Sequence, residues 1–238
     1  MKPDAYLFDL DGVLTPTAAV HQQAWAEALD GFLDSLGRGL RPFGPDDYLA
    51  FVDGRPRYDG VRAFLRSRGL LLPEGSPDDA AGYETVQALG NLKNDAFRLA
   101  LARDGISPYP DAVELLGELD RSATPWAVVS SSANAHDVLR AAGLLTRPAL
   151  IVDAQAATSL ALAGKPSPDC FVYAAVTLGQ VEARCAVVED AVSGVEAGRA
   201  GGFGLVVGVD RASSGAELAR AGADRVVREL TELLTAGG

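Results

Sequence analysis

The sequence predicts an α/β fold: a parallel sheet flanked by helices, with a helical domain inserted after the first strand. Three observations lead there. Six short apolar runs of β character are spread along the 238 residues. Helix-like stretches of roughly ten residues alternate with the later runs, the mark of crossover units joining parallel strands. Between the first run and the rest, residues 16–106 carry helical patterns and no convincing strand.

The elements follow in order. Ala5–Phe8 is continuously apolar, as a strand covered on both faces should be. The insertion reads as helices at Ala18–Leu36, Pro45–Val52, Asp59–Arg68 and Leu92–Arg103, punctuated by the loops GRGLRPFG and LLPEGSPDD. A helix at Asp111–Asp120 leads back to the strand Trp126–Val129. Then come a helix at His136–Ala142, a strand at Ala149–Val152, a helix at Asp169–Leu178 and a strand at Ala186–Val188. Val192–Ala200, Leu205–Val209, Gly215–Ala221 and a weaker strand, Arg225–Val227, complete the alternation. The expected division is residues 1–15 with 107–238 as the α/β domain and residues 16–106 as the helical one. The length suffices for one large domain or two modest ones.

Composition narrows the function. The chain is 48% hydrophobic and 22% charged, with a formal net charge of -11 and a pI near 4.6. That acidity argues against nucleic acid or an anionic membrane as partner. The start MKPDAYLFDLDG is not a signal peptide, since acids interrupt its short apolar run, and no apolar stretch reaches the ~18 residues of a membrane helix. Cys170 and Cys185 have no metal or redox spacing and read as buried thiols. A cytoplasmic location is expected. Of 21 basic residues only Lys2, Lys93 and Lys165 are lysines. An ammonium is a compact point charge where a guanidinium is a planar fork, so the internal lysines stand out.

FDLDGVLT sets Asp9 and Asp11 where the first strand should end. Residues i and i+2 of extended chain point the same way, and ligands of open parallel sheets bind beyond the carboxyl ends of the strands. VVSSSAN puts Ser130, Ser131 and Ser132 after the second strand; AVVEDAVSG puts Glu189 and Asp190 after the fourth; AGKPSPD puts Lys165 in a loop before a helix. Alone, each could be an ordinary turn or helix cap. Together they form a constellation. Converging carboxylates repel unless a cation joins them, and with oxygen ligands and no nearby Cys or His a hard ion such as Mg²⁺ fits. Phosphoryl transfer needs that set: cations to neutralise the group, hydroxyls and N–H groups for its oxygens, one aspartate as nucleophile and one as proton carrier.

These four segments resemble the motifs of the haloacid dehalogenase superfamily of Mg²⁺-dependent phosphotransferases, across essentially the whole chain. The resemblance implies a Rossmann-like doubly wound core with an inserted helical cap of the C1 type. It implies Asp9 as nucleophile, Asp11 as general acid/base, Ser130 and Lys165 at the transferring phosphate, and Mg²⁺ held by Asp9, the Asp11 carbonyl, Asp190 and, through water, Glu189. Within the superfamily the chain is most similar to the β-phosphoglucomutases. TPTAAVHQQAW matches their cap entry with Thr17, His21 and Trp25; VDGRPRYDG their specificity loop with Gly54, Arg55 and Arg57; NLKNDAF a further cap segment with Lys93 and Asn94. SSSAN implies Ser131, Ser132 and Asn134 around phosphate, and Gly12 belongs to the first motif.

The implied reaction interconverts β-glucose 1-phosphate and glucose 6-phosphate through an aspartyl-phosphate, with glucose 1,6-bisphosphate as intermediate and activator. The expected partner is a small phosphorylated sugar, and the expected state a monomer. The alternative is a phosphatase on the same core, hydrolysing a sugar phosphate or another small phosphomonoester. His21, Arg57 and Lys93 favour the mutase. Three departures bear on the choice: Asp53 and Ala133 stand where lysines are common, and Pro16 replaces an acid.

Overall fold

The computed structural model describes residues 2–53, 55–211 and 215–234. It divides into two compact units, Met1–Pro16 with Ile106–Gly238, and Thr17–Gly105.

The first unit holds one six-stranded parallel sheet in the order β3-β2-β1-β4-β5-β6. The strands are β1 (Ala5–Phe8), β2 (Trp126–Val129), β3 (Leu150–Val152), β4 (Cys185–Glu189), β5 (Leu205–Val209) and β6 (Arg225–Val227). The four residues of β1 and of β2, and all five of β4, are buried, the physical reason these strands read as unbroken apolar runs. The order runs outward from β1 on one side and resumes with β4 on the other. The crevice at that reversal, beyond the ends of β1 and β4, is where such sheets bind ligands. Register makes this concrete: Phe8 pairs with Val188, and Asp9 N–H donates to the Val188 carbonyl at 2.9 Å. The next residue on each strand is an acid, so Asp9 and Glu189 emerge side by side.

Helices α5 (Pro110–Arg121), α6 (Ala135–Ala141), α7 (Ala154–Ser159), α8 (Asp169–Thr177), α9 (Val192–Ala200) and α10 (Gly215–Ala221) complete this unit. Its core packs Leu7, Val129, Val187 and Val206 against Phe171, Ala174, Val195 and Phe203. Cys170 and Cys185 are free thiols within it.

The second unit is helical, with α1 (Thr17–Ser35), α2 (Pro45–Asp47), α3 (Arg57–Ser67) and α4 (Val86–Asp104). Trp25, Ala28, Leu29, Phe32 and Leu33 recur at three- and four-residue spacing on α1 and pack with Val61, Phe64 and Leu65 of α3 and Val86 and Leu89 of α4. Two expectations need correction. The segment Pro45–Val52 is one turn of α-helix that widens into a π-helix at Tyr48–Val52, closed by Asp53 N–H on the Tyr48 carbonyl at 2.9 Å. Helix α4 begins at Val86, six residues before the expected Leu92; the Thr85 hydroxyl caps it by accepting the Ala88 N–H at 2.9 Å.

Candidate active site

Three carboxylates converge beyond β1 and β4. One oxygen each of Asp9, Glu189 and Asp190 lies within 4.8 Å of the others. Asp9 is 7% and Glu189 1% exposed. Glu189 Oε2 accepts the N–H groups of Asp190 and Ala191 at 3.1 and 3.2 Å, which turns the carboxylate back over the start of α9. Two glycines make the approach possible. A Cβ on Gly194, in α9, would fall on the Glu189 carboxylate; one on Gly12 would fall on that of Asp190. Gly12 also has φ +83°, a conformation that favours glycine. Gly12 was singled out from the first motif. Gly194 was missed, although it stands in the quoted AVVEDAVSG.

Lys165 enters this acidic group from the loop before α8. Its Nζ donates to Asp9 Oδ1 at 2.5 Å and to the Val129 carbonyl at 3.0 Å, and pairs with Glu189 Oε1. The side chain is 6% exposed. Burial pushes the Asp9 carboxyl up, to about 8; the Lys165 ammonium opposes the shift, while Glu189 and Asp11 add to it. Burial works to lower Lys165, but Asp9 and Glu189 outweigh it and hold the ammonium above the usual lysine range.

Asp11 follows Asp9 by two residues, and its charge is among those that raise the Asp9 carboxyl. The Ser130 hydroxyl lies 3.4 Å from its Oδ2. Ser130 is buried at the end of β2, and its hydroxyl accepts the Ser132 N–H at 3.1 Å, while the Ser132 hydroxyl accepts the Asn134 N–H at 3.1 Å. The loop is thus pinned by its own serines. Ser131 is exposed and Asn134 buried at the head of α6.

The expected residues of the helical unit fall into two groups. His21 and Trp25, one turn apart on α1, meet Lys93 and Phe97 on α4. Lys93 Nζ lies 2.7 Å from His21 Nδ1, 5.0 Å from the Trp25 ring centroid and 5.1 Å from that of Phe97; His21 stacks on Phe97 at 4.2 Å. Lys93 is only 4% exposed, so it is no solvated surface charge. Trp25 belongs to the core of this unit. In the second group Arg57 Nη2 donates to Asn94 Oδ1 at 2.7 Å. Thr17 is buried at the start of α1, and Arg55 and Asp53 are exposed. Gly54 lies outside the described residues.

The donor set fits a hard divalent cation such as Mg²⁺. It is all oxygen, it is acidic, and the buried Glu189 Oε1 has an ion-pair partner but no hydrogen bond of good geometry. Asp9, Glu189 and Asp190 each offer a carboxylate oxygen that could hold such an ion.

Residues 3–202 match the family model described as haloacid dehalogenase-like hydrolase. The chain belongs to that family. It is 46% identical, over 98% of its length and 92% of the relative's, to a beta-phosphoglucomutase of Mycobacterium bovis. It is 30% identical, over 87% of its length and 83% of the relative's, to hexitol phosphatase A of Escherichia coli. The solved structure of a HAD family hydrolase from Deinococcus radiodurans, with bound phosphate and sodium, superposes with a TM-score of 0.69 at 31% identity, covering 97% of this chain and 93% of that one. The protein is an enzyme of phosphoryl transfer, similar to beta-phosphoglucomutase. Among the described residues no helix is long and apolar enough to cross a membrane.

Proposed function

We propose that the protein is a Mg²⁺-dependent β-phosphoglucomutase, interconverting β-glucose 1-phosphate and glucose 6-phosphate through glucose 1,6-bisphosphate. The observation that carries this reading is the joint placement of Asp9, Glu189, Asp190 and Lys165 at the reversal of the sheet, in a chain 46% identical to a beta-phosphoglucomutase.

Each residue has a part. Asp9 is the nucleophile: its carboxylate oxygen attacks phosphorus and the bond to the sugar oxygen breaks. Asp11 gives that oxygen a proton and takes one back from the next hydroxyl acceptor. Lys165 and Ser130 hold the phosphoryl oxygens as charge moves onto them. Asp9, Asp190, the Asp11 carbonyl and, through water, Glu189 would hold Mg²⁺, which would supply charge neutralisation at the phosphoryl group. Ser131 joins Ser130 at the transferring group, and Ser132 and Asn134 take the phosphate that is not reacting. In the helical unit, Arg55 and Arg57 supply cations for a sugar phosphate, with Asn94 beside Arg57. With Lys93 charged, its ammonium can only donate, so His21 Nδ1 accepts and His21 carries its proton on Nε2. His21 is then a hydrogen-bond donor rather than a base.

The second reading is a phosphatase. Asp53 and Ala133, where lysines are common, and the 30% identity to hexitol phosphatase A favour it. One assay separates them. β-Glucose 1-phosphate is supplied with Mg²⁺ and a trace of glucose 1,6-bisphosphate, and glucose 6-phosphate and free phosphate are recorded together. The expected result is glucose 6-phosphate formed far faster than phosphate, and no turnover with EDTA. Dominant phosphate release would replace the mutase with the phosphatase.

A further inference from the structure

Arg211 lies two residues beyond β5, at the same edge of the sheet as the carboxylates. Its side chain is only 17% exposed, and its Nε is buried without a hydrogen-bond partner. A guanidinium held in this way carries a desolvation cost, so what it holds is of interest. Nη2 donates to Asp111 Oδ2 at 2.7 Å and to the Val13 carbonyl at 3.4 Å; Nη1 donates to the Arg228 carbonyl at 3.0 Å. The guanidinium also lies over the Tyr109 ring, 4.1 Å from its centroid. Asp111 Oδ2 accepts the Leu230 N–H at 2.7 Å as well, which fixes the acid that fixes the arginine.

Tyr109 donates its own N–H to the Leu14 carbonyl at 2.9 Å. Two consecutive carbonyls, of Val13 and Leu14, are therefore gripped by a guanidinium and a tyrosine stacked on one another. Both carbonyls belong to the turn that carries Asp11. That turn is closed by Gly12 N–H on the Thr15 carbonyl at 2.8 Å, by Leu14 and Thr15 N–H on the Leu10 carbonyl at 3.0 and 3.1 Å, and by a bridge between Asp11 and Thr15. These bonds tie the Asp11 backbone to the same turn as the two gripped carbonyls.

We propose that Arg211 is a positioning residue for Asp11: by holding Val13 directly and Leu14 through Tyr109, it sets where the Asp11 carboxyl meets the leaving oxygen. The inference rests on the reading of Asp11 as the acid. In the step concerned, an Asp9 oxygen bonds to phosphorus, the bond from phosphorus to the sugar oxygen breaks, and that oxygen takes the Asp11 proton. With p-nitrophenyl phosphate the same bonds form and break, but p-nitrophenolate departs without a proton.

The test compares kcat/KM for these two kinds of leaving group, with Mg²⁺, in the wild type and in the Asp11→Asn, Arg211→Met and Arg211→Lys variants. Formation of the aspartyl-phosphate from glucose 1,6-bisphosphate is set against release of p-nitrophenolate. Misplacing a catalytic group by about an ångström costs on the order of 100-fold. Arg211→Met should therefore lose at least about 10-fold on the bisphosphate, and Arg211→Lys, which keeps the charge but not the fork, should lose less. Both should stay within about twofold of wild type on p-nitrophenyl phosphate, copying the selectivity of Asp11→Asn. Equal losses on both substrates would show that Arg211 serves the fold alone and would overturn the inference, as would no loss on either. Arg211→Lys carries the test if Arg211→Met does not fold. If Asp11→Asn itself struck both substrates alike, the reading of Asp11 would fall, and the inference with it.

Discussion

Asp47 in the helical unit and Asp9 in the α/β unit are both buried aspartates set against cationic side chains, and the two units treat them in opposite ways. The Asp47 side chain is 1% exposed and receives Arg41 at 2.7 Å, Arg68 at 2.8 and 3.1 Å and the Gly44 N–H at 3.1 Å. Burial works to raise its carboxyl, but these donors win and hold it below the usual carboxylate range. For Asp9, burial pushes the carboxyl up to about 8; Lys165 opposes the shift, and the charges of Glu189 and Asp11 add to it. A saturated acid stabilises a fold. An acid surrounded by others leaves room for added positive charge, and that is the condition a metal or phosphoryl site requires.

Substitutions can break this contrast at either end. The largest effect belongs to Asp9→Asn: the aspartyl-phosphate cannot form, and kcat with β-glucose 1-phosphate should fall by more than about 1000-fold. Trapping of radiolabelled phosphate on the protein checks it, and a labelled variant would show that another residue is the nucleophile. Asp47→Ala should do the reverse. It leaves the buried Arg68 without its acid, at a cost of about 3 kcal/mol in urea unfolding, while the specific activity of the folded fraction stays as it was. Loss of activity without loss of stability would move Asp47 into the site. The smallest effect is one of pH. Because the folded carboxyl of Asp47 lies below its unfolded value near 3.9, its stabilisation is complete above that value and drains away as pH falls through the folded one. Unfolding curves of wild type and Asp47→Asn should therefore draw together below about pH 4. A constant gap down to pH 2 would contradict the sign.

The same contrast explains what could be read from the chain. Ala5–Phe8, Trp126–Val129 and Leu205–Val209 were legible to the residue, because parallel strands covered on both faces leave uninterrupted apolar runs; the edge strand Arg225–Val227, with Val226 exposed, gives a weaker signal. Asp9, Glu189, Asp190 and Lys165 were legible because their chemistry is unusual at strand ends. The helical unit was harder. Gln87 and Gly90 interrupt the apolar pattern of α4, and helix propensity disfavours a glycine there, so its first two turns were lost. Helix α7, AQAATS, has no buried residue and so no apolar period to find. The pairing of Lys93 with His21 and Trp25 crosses between helices, and the grip of Arg211 on Val13 spans nearly the whole chain. Contacts at such separations have no local pattern.

The position of β1 carries a cost in time. It precedes the other strands of its sheet in the sequence and lies at the sheet's centre, with Tyr6 paired to Trp126 and Ala5 to Cys185. One edge of β1 can pair with β2 only after residues 126–129 are made, and the other edge stays open until Cys185–Glu189 follows. Pairing over such sequence separation gives a high contact order, which slows folding and lengthens exposure to aggregation. Asp9 and the acids it meets, Glu189 and Asp190, thus come together only when segments far apart in the sequence have paired.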